Sequence, residues 1–424
     1  RLMDNISIKK RFLIYLIFII SLSIFYLYHK HDVGSDTSIS EWLINYQGGF
    51  TRRGLGGEII IFFANIFSIS LRDSIFLIQT FSNSIYIILL FLYVKDLKFN
   101  IIQIFALFSP LFLLYPVAEL EALGRKEFFI FLFFISTLFL SEKRFKPAFL
   151  NLIVFIFFPI LCLMWEQIIL FAPFFAVILI NKNKLFSFSD VLIKLSIIFS
   201  PSIFIIIIIF LFPLSKQGHT EMCSFLINQF EEKCYMSAEL LIKNTIYFDT
   251  FYIHKRVNFF PEYFRYIMIF LIGFLPLHLS LYKNYFIFKE NFVTKYFSPL
   301  NLFICLYIPI LLLFAFGHDW GRWMNITYSL SILLYLYFLK EKIISTNFDN
   351  YSIIKIFSKK KFLLILVFYL FAFSWNPKTL ISGDIATNTL YKIIYNSSKI
   401  IFGFSGFRIF QDNPIIQFHK NFIE

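Results

Sequence analysis

Apolar residues in this chain come in long unbroken runs, with the polar residues gathered between them, rather than in the alternation of a strand or the single stripe of a surface helix. The runs approach the length of a bilayer crossing, which takes about 20 apolar residues as a helix. They predict eleven spans, at 12–28, 75–94, 101–118, 128–140, 148–165, 168–180, 195–214, 266–282, 299–316, 324–339 and 362–375. The expected fold class is all-α, a polytopic integral membrane protein forming a single transmembrane domain over residues 1–424.

The loops sort by charge. Lys95 and Lys98, then Lys143, Arg144 and Lys146, then Lys182 and Lys184 are successive basic groups, and two runs separate each neighbouring pair. An even number of crossings keeps these groups on one side, and the positive-inside rule, beginning with Lys9, Lys10 and Arg11, makes that side the cytoplasm. The N-terminus is then cytoplasmic and the C-terminus external. The external segments are 29–74, the short turns 119–127, 166–167 and 317–323, a loop subdomain at 215–265, and the tail 376–424. The apolar stretch from Ile59 to Leu71 would invert every later loop if it crossed, so it is expected to be an interfacial or re-entrant helix on the external face. The first run lacks a small-residue cleavage site and reads as a signal anchor.

With 58% hydrophobic and 15% charged residues, a soluble core is excluded. The 63 Phe accompany abundant Ile, Tyr, Lys and Asn, a drift that carries no functional weight. A net charge of +13 would point to nucleic acid in a soluble protein; here it follows from the basic loops, and no nucleic-acid partner is expected. Cys162 and Cys305 lie inside apolar runs, whereas Cys223 and Cys234 share one external polar loop and are candidates for a disulfide. No Cys/His spacing resembles a zinc site, and no Ser/His/Asp, Walker or dinucleotide fingerprint is present.

The unusual polar residues collect on the predicted external side. The stretch Trp42 to Glu58 holds five of the 14 glycines together with Arg52 and Arg53. Close arginines grip phosphate oxygens in bidentate fashion, and glycines permit tight turns that bring backbone N–H groups to an anion. Asp36 and Glu41 precede this stretch and offer a general base or a ligand for a divalent metal, which stays open as a cofactor. The turn Glu119, Glu121, Arg125, Lys126, Glu127 offers a second phosphate clamp, or an i,i+4 pair of Glu121 with Arg125 if helical. Glu166 sits between two short runs, at a depth where an ionisable group faces a cavity or a partner such as an external arginine. His318, Asp319, Trp320, Gly321, Arg322 and Trp323 place an acid, a base and an arginine in one turn, while its tryptophans also fit an aromatic belt. His219 and His254 lie in the long loop with no partner pattern, and His278, in a span near the cytoplasmic side, reads as a packed or hydrogen-bonded residue.

The layout of Asp36 or Glu41 in the first external loop, an interfacial helix after it, and Glu119 or Glu121 in the second loop resembles the C-type (GT-C) superfamily of multi-pass glycosyltransferases. An adjacent acidic pair in the first loop and a C-terminal soluble domain, both usual there, are missing. The reliance on external arginines also resembles O-antigen-polymerase-type membrane proteins. Both likenesses imply a bacterial inner-membrane enzyme that transfers sugar from a polyprenyl-phosphate or polyprenyl-diphosphate carrier to a glycan or lipid acceptor. Arg52, Arg53, Arg125, Lys126 and Arg322 would hold the phosphate. Asp36, Glu41 or Asp319 would serve as base, with Glu58, Glu119, Glu121, Glu166, His318 and Trp320 in support. A transporter or flippase of an anionic lipid and a non-catalytic assembly subunit are the alternatives from other classes.

Overall fold

The computed structural model describes residues 5–32, 37–239, 241–242, 259–345, 361–381 and 388–402. Its α-helices of six residues or more, in chain order, are α1 Asn5–His31, α2 Gly54–Phe67, α3 Leu71–Val94, α4 Ile101–Leu107, α5 Glu127–Leu140, α6 Pro147–Met164, α7 Ala172–Asn183, α8 Phe188–Leu211, α9 Lys216–Phe230, α10 Phe259–Lys283, α11 Pro299–Tyr307, α12 Leu311–Phe316, α13 Trp320–Lys340, α14 Lys361–Phe373 and α15 Thr389–Phe402, and a 3-10 helix, Glu166–Phe171, runs into α7. Among the described residues the one β-type pairing is an isolated bridge between Phe286 and Ile344.

Seven helical stretches are long and apolar enough to cross a membrane: Lys9–His31, Leu71–Val94, Pro147–Met164, Glu166–Asn183, Phe188–Leu211, Glu262–Lys283 and Pro299–Phe316. The helices α2, α5 and most of α14 are apolar but shorter. Helix α8 turns Phe188, Leu192, Ile197, Phe204 and Leu211 outward, as a lipid-facing helix does. Helix α13 is the opposite case, buried from Gly321 through Leu339. Because α13 is covered by protein, it tolerates polar residues that find partners within the bundle. Asn325 Nδ2 donates to the carbonyls of Leu111 and Phe112 (2.7 and 3.0 Å), Tyr328 donates to the Ala106 carbonyl (2.7 Å), and Tyr335 accepts from Gln103 (2.9 Å).

Seven of the eleven expected spans thus meet the length and composition of a crossing, and two further expectations change. Residues 101–118 do not make one span: α4 stops at Leu107, residues 109–114 unwind, and a single turn, Tyr115–Ala118, follows. Pro110 removes a donor and pushes Ser109 out of helical geometry. Unwound backbone is tolerated at such depth only inside protein, and the bonds from Asn325 to carbonyls 111 and 112 supply that cover. The glycine-rich stretch, expected to be turns, is helical from Gly54, five residues before the expected start. A Cβ on Gly57 would lie 2.0 Å from the Ile44 carbonyl oxygen, so glycine lets the first turn of α2 press against the preceding loop.

The connections fall at two ends of the bundle. At one end Lys182 donates to the carbonyls of Ser141 and Glu142, Lys340 pairs with Glu142, Lys184 pairs with Glu290, and Asn291 bonds Asn181. At the other, segments near residues 30, 45, 53, 72, 123, 166, 218, 232, 320 and 380 interlock. Lys30 donates to the carbonyls of Leu120 and Leu123, and Arg72 forks onto Glu232 at 2.7 and 2.9 Å. Gly321 N–H donates to the Thr379 carbonyl, and Ile381 N–H to that of His318. Helix α9 joins this end through glycines: a Cβ on Gly48 would lie 1.8 Å from the Gly218 carbonyl oxygen. Cys223, on α9, is disulfide-bonded to Cys234, Cα to Cα 5.3 Å.

Candidate functional site: a buried charge cluster

The interlocked end brings charged residues from five separate segments into one buried group. Arg53, at the entry to α2, places its guanidinium on Glu166 with Nε to Oε2 at 2.9 Å and Nη2 to Oε1 at 2.8 Å. Arg52 lies 3.8 Å from the same carboxylate. Arg125 Nη1 donates to Glu41 at 2.6 Å while its Nε donates to the Glu121 carbonyl, so the i,i+4 side-chain pair of Glu121 with Arg125 is not formed. The reason is local: 119–126 is a series of turns, reversed at Gly124, whose φ of +81° suits glycine. The Gly124 carbonyl accepts from Trp42 Nε1 and Gln79 Nε2, which fixes the turn against α3 and the first loop. Lys126 donates to the Arg53 carbonyl at 2.9 Å and stands 5.6 Å over the Trp42 ring. Arg322, one residue pair into α13, pairs with Glu127 at 2.7 Å and Asp319 at 2.6 Å, above the ring of Trp165.

Five cations (Arg52, Arg53, Arg125, Lys126, Arg322) thus meet four carboxylates (Glu41, Glu127, Glu166, Asp319), an excess of one positive charge when all are ionised. Burial by itself raises the Glu41 carboxyl, but Arg125, Arg53, Arg322 and Lys126 together hold it below the ordinary carboxylate range. For Lys126 burial dominates: its amine is lowered to about 8, although Glu41, Glu166 and Glu127 favour the charged form. Concentrating so many charges away from water costs several kcal/mol per ion in desolvation, of which pairing returns only a part. An apolar core of equal volume would fold at less cost, so the cluster marks a place where the polar groups themselves are needed.

The expected site residues divide in three. Glu41, Arg52, Arg53, Arg125, Lys126, Glu166, Asp319 and Arg322 converge here. Glu119 lies to one side, accepting from Asn376 Nδ2 at 3.1 Å and paired with Lys392 of α15. Glu58 takes the Tyr46 N–H at 2.7 Å and braces the first loop, Glu121 is exposed and enters through its carbonyl, and Trp320 bonds the Gly317 carbonyl. The His318 carbonyl accepts from the Trp320 and Ile381 backbone N–H groups. Asp36 lies outside the described residues. Among the cluster's carboxylates Asp319 is the most open, its side chain 28% exposed against 3% for Glu41.

Sequence reasoning passed over two members. In sequence Glu127 is one acid of the second turn, without a role of its own, and its place as the first residue of α5 is the available signal. Trp165 adjoins Glu166 in the chain, and its indole N–H is buried with no partner among the described residues. A divalent metal does not fit the cluster, because its carboxylates already face guanidinium groups and the surplus charge is positive. Among the described residues the one close group of three metal-type ligands is His219, Cys223 and Cys234, and there the two sulfurs are joined to each other.

A narrow cavity lined by Ala122, Arg125, Glu127, Arg322 and Asn325 opens from the cluster, with room for about one ordered water. A second cavity shares Pro116, Phe128, Phe131 and Asn325 with it and continues into the bundle past Ser23, Asn83, Tyr86 and Ser329. Set against known protein families, curated proteins and solved structures, the chain matches none.

Proposed function

We propose that the chain is a membrane glycosyltransferase that takes a sugar from a polyprenyl-phosphate or polyprenyl-diphosphate carrier and passes it to a glycan or lipid acceptor at the end of the bundle holding the charge cluster. In this reading that end is the external face of a bacterial inner membrane, and the Lys-rich end is cytoplasmic. The observation that carries it is the convergence of Arg52, Arg53, Arg125, Lys126 and Arg322 on one buried site beside an accessible carboxylate, Asp319.

A lipid carrier reaches the site from the bilayer, so its phosphate arrives at the depth of the cluster. Guanidinium forks bind phosphate in two directions at once and stabilise the charge that grows on it as the sugar leaves. A carboxylate within hydrogen-bond reach of the acceptor takes its hydroxyl proton. Asp319 is favoured over Glu41 for that role because it is open to a ligand and attached to Arg322, one of the phosphate-holding groups. The test is transfer of radiolabelled sugar from polyprenyl-linked donors by the purified protein in nanodiscs, with membrane glycolipids as acceptors. Transfer that depends on Arg322 supports the reading. Movement of the carrier across the bilayer without transfer would replace it with the flippase.

A further inference from the structure

Glu127 is held differently from the other carboxylates of the cluster. Glu166 accepts aligned bonds from both arms of the Arg53 fork. Glu127 Oε1 stands 2.7 Å from Arg322 Nε, yet among the described residues neither carboxylate oxygen accepts a well-aligned side-chain hydrogen bond and that Nε donates none. Their contact is one of charge without the directional part that makes a fork strong. A carboxylate held so is the one most readily exchanged for another anion. It also lines the cavity between Arg125 and Arg322, which accommodates about one water until the carboxylate moves.

The charged groups around Glu127 come from every neighbouring element: Arg322 from α13, Arg125 and Lys126 from the turn before α5, Glu41 from the first loop, and Arg53 from the entry to α2. Burial pushes the Glu127 carboxyl up, with Glu41 adding to this and Arg322 and Arg125 opposing it. Once parted from Arg322, it loses the principal group keeping it ionised. The adjoining cavity is lined mostly by apolar side chains, which favour a neutral carboxyl over an ionised one, and the buried Tyr86 hydroxyl there has no partner among the described residues.

We propose that the space between Arg125 and Arg322 is the seat of a phosphate oxyanion, and that Glu127 is its resident counterion: phosphate displaces the carboxylate, which takes up a proton from water as it leaves. The balance is simple. One carboxylate charge is removed by one proton, the phosphate brings at least one negative charge in its place, and no bond to phosphorus is made or broken. The exchange spares the site an ionised carboxylate buried without its cation. It rests on the reading of the cluster as a phosphate site and adds that binding is linked to proton uptake.

Calorimetry of the full chain in nanodiscs, run near neutral pH in two buffers of different ionisation enthalpy, counts the protons taken up. Sulfate is the first probe because it does not titrate there; inorganic phosphate and a short prenyl phosphate follow. Uptake of about one proton per sulfate is expected in the parent protein, with none in Glu127→Gln, which binds the anion about tenfold tighter because its competitor is neutral. Glu127→Asp should keep the uptake, and the parent measurement stands even if Glu127→Gln does not fold. Tighter binding of prenyl phosphate than of inorganic phosphate assigns the lipid-linked source, and equal binding a free anion. Anion binding with no proton uptake in the parent would overturn the exchange and leave the phosphate site intact. Failure of all three probes to bind would remove the phosphate site itself.

Discussion

Arg53 reaches Glu166 across 113 positions of sequence and holds it by both arms of its guanidinium, from a backbone with φ of +65°, in the left-handed region that side chains usually avoid. The same residue offers its carbonyl to Lys126. One strained residue therefore ties the head of α2 to the Trp165–Glu166 turn and to the head of α5. Strain of this kind persists where surrounding contacts over-determine it.

Breaking the Arg53–Glu166 pair should destabilise the fold. Glu166→Gln and Arg53→Ala are each expected to cost about 3 kcal/mol, since each takes from a largely buried charge its hydrogen-bonded partner. The double variant Arg53→Ala with Glu166→Gln should lose less than the sum of the two single variants. Thermal unfolding in detergent measures all three. Additive losses would mean that the pair is not coupled.

The seat of α9 depends on a backbone contact that no side chain permits. A Cβ at Gly218 would come 2.3 Å from the Gly48 carbonyl oxygen. Gly218→Ala should therefore lift α9 from the first loop, costing about 1–3 kcal/mol. Limited proteolysis should open the 216–239 region in the variant while the parent stays protected; unchanged protection would count against the packing.

Lys126 makes stability pH-dependent in a defined window. Its amine is lowered from 10.5 to about 8 by burial, so between those values the unfolded chain binds a proton that the folded chain has released. Where the unfolded state binds more protons, stability rises with pH. The gain attributable to Lys126 should be on the order of 3 kcal/mol across pH 8 to 10.5, by the relation of about 1.4 kcal/mol per unit. Unfolding measured against pH should show this rise in the parent and lose it in Lys126→Met.

The carboxylates should separate by role. Asp319→Asn keeps shape but removes a proton acceptor, so sugar transfer should fall by about two orders of magnitude while donor binding persists. Glu41→Gln strips Arg125 of a buried partner and should instead lower the melting temperature. Near-parental turnover in Asp319→Asn would exclude it as the base.

The two ends should lie on opposite faces of the membrane. In a background lacking Cys305, single cysteines at exposed Gln47 and Glu121 should react with an impermeant thiol reagent in whole cells. Cysteines at Lys143 and Lys289 should react only after permeabilisation. Labelling of all four from outside would break the parity of the loops.

Much of the architecture was legible along the chain. Apolar runs announce membrane-length helices because bilayer and backbone each set a length that any continuous run must meet. Charge sorts the loops into two sets, and the contacts gather those sets at two ends: Lys182 with Glu142 at one, Lys30 with Leu123 at the other. These are properties of short stretches and need no knowledge of neighbours. What pairs with what needed the packed bundle. Arg53 with Glu166, Arg125 with Glu41, and Arg322 with Glu127 join residues far apart in sequence, and an arginine reads the same whether it is open to a phosphate or already holding a carboxylate. The unwound stretch after Leu107 and the helical glycines of α2 were likewise decided by contact, with Asn325 supplying donors to free carbonyls and Ile44 pressing where only hydrogen fits. Hydrophobic length is set by solvent and can be read locally. Charge pairing and close backbone approach are set by whichever segment the fold brings alongside, and only the tertiary structure decides that.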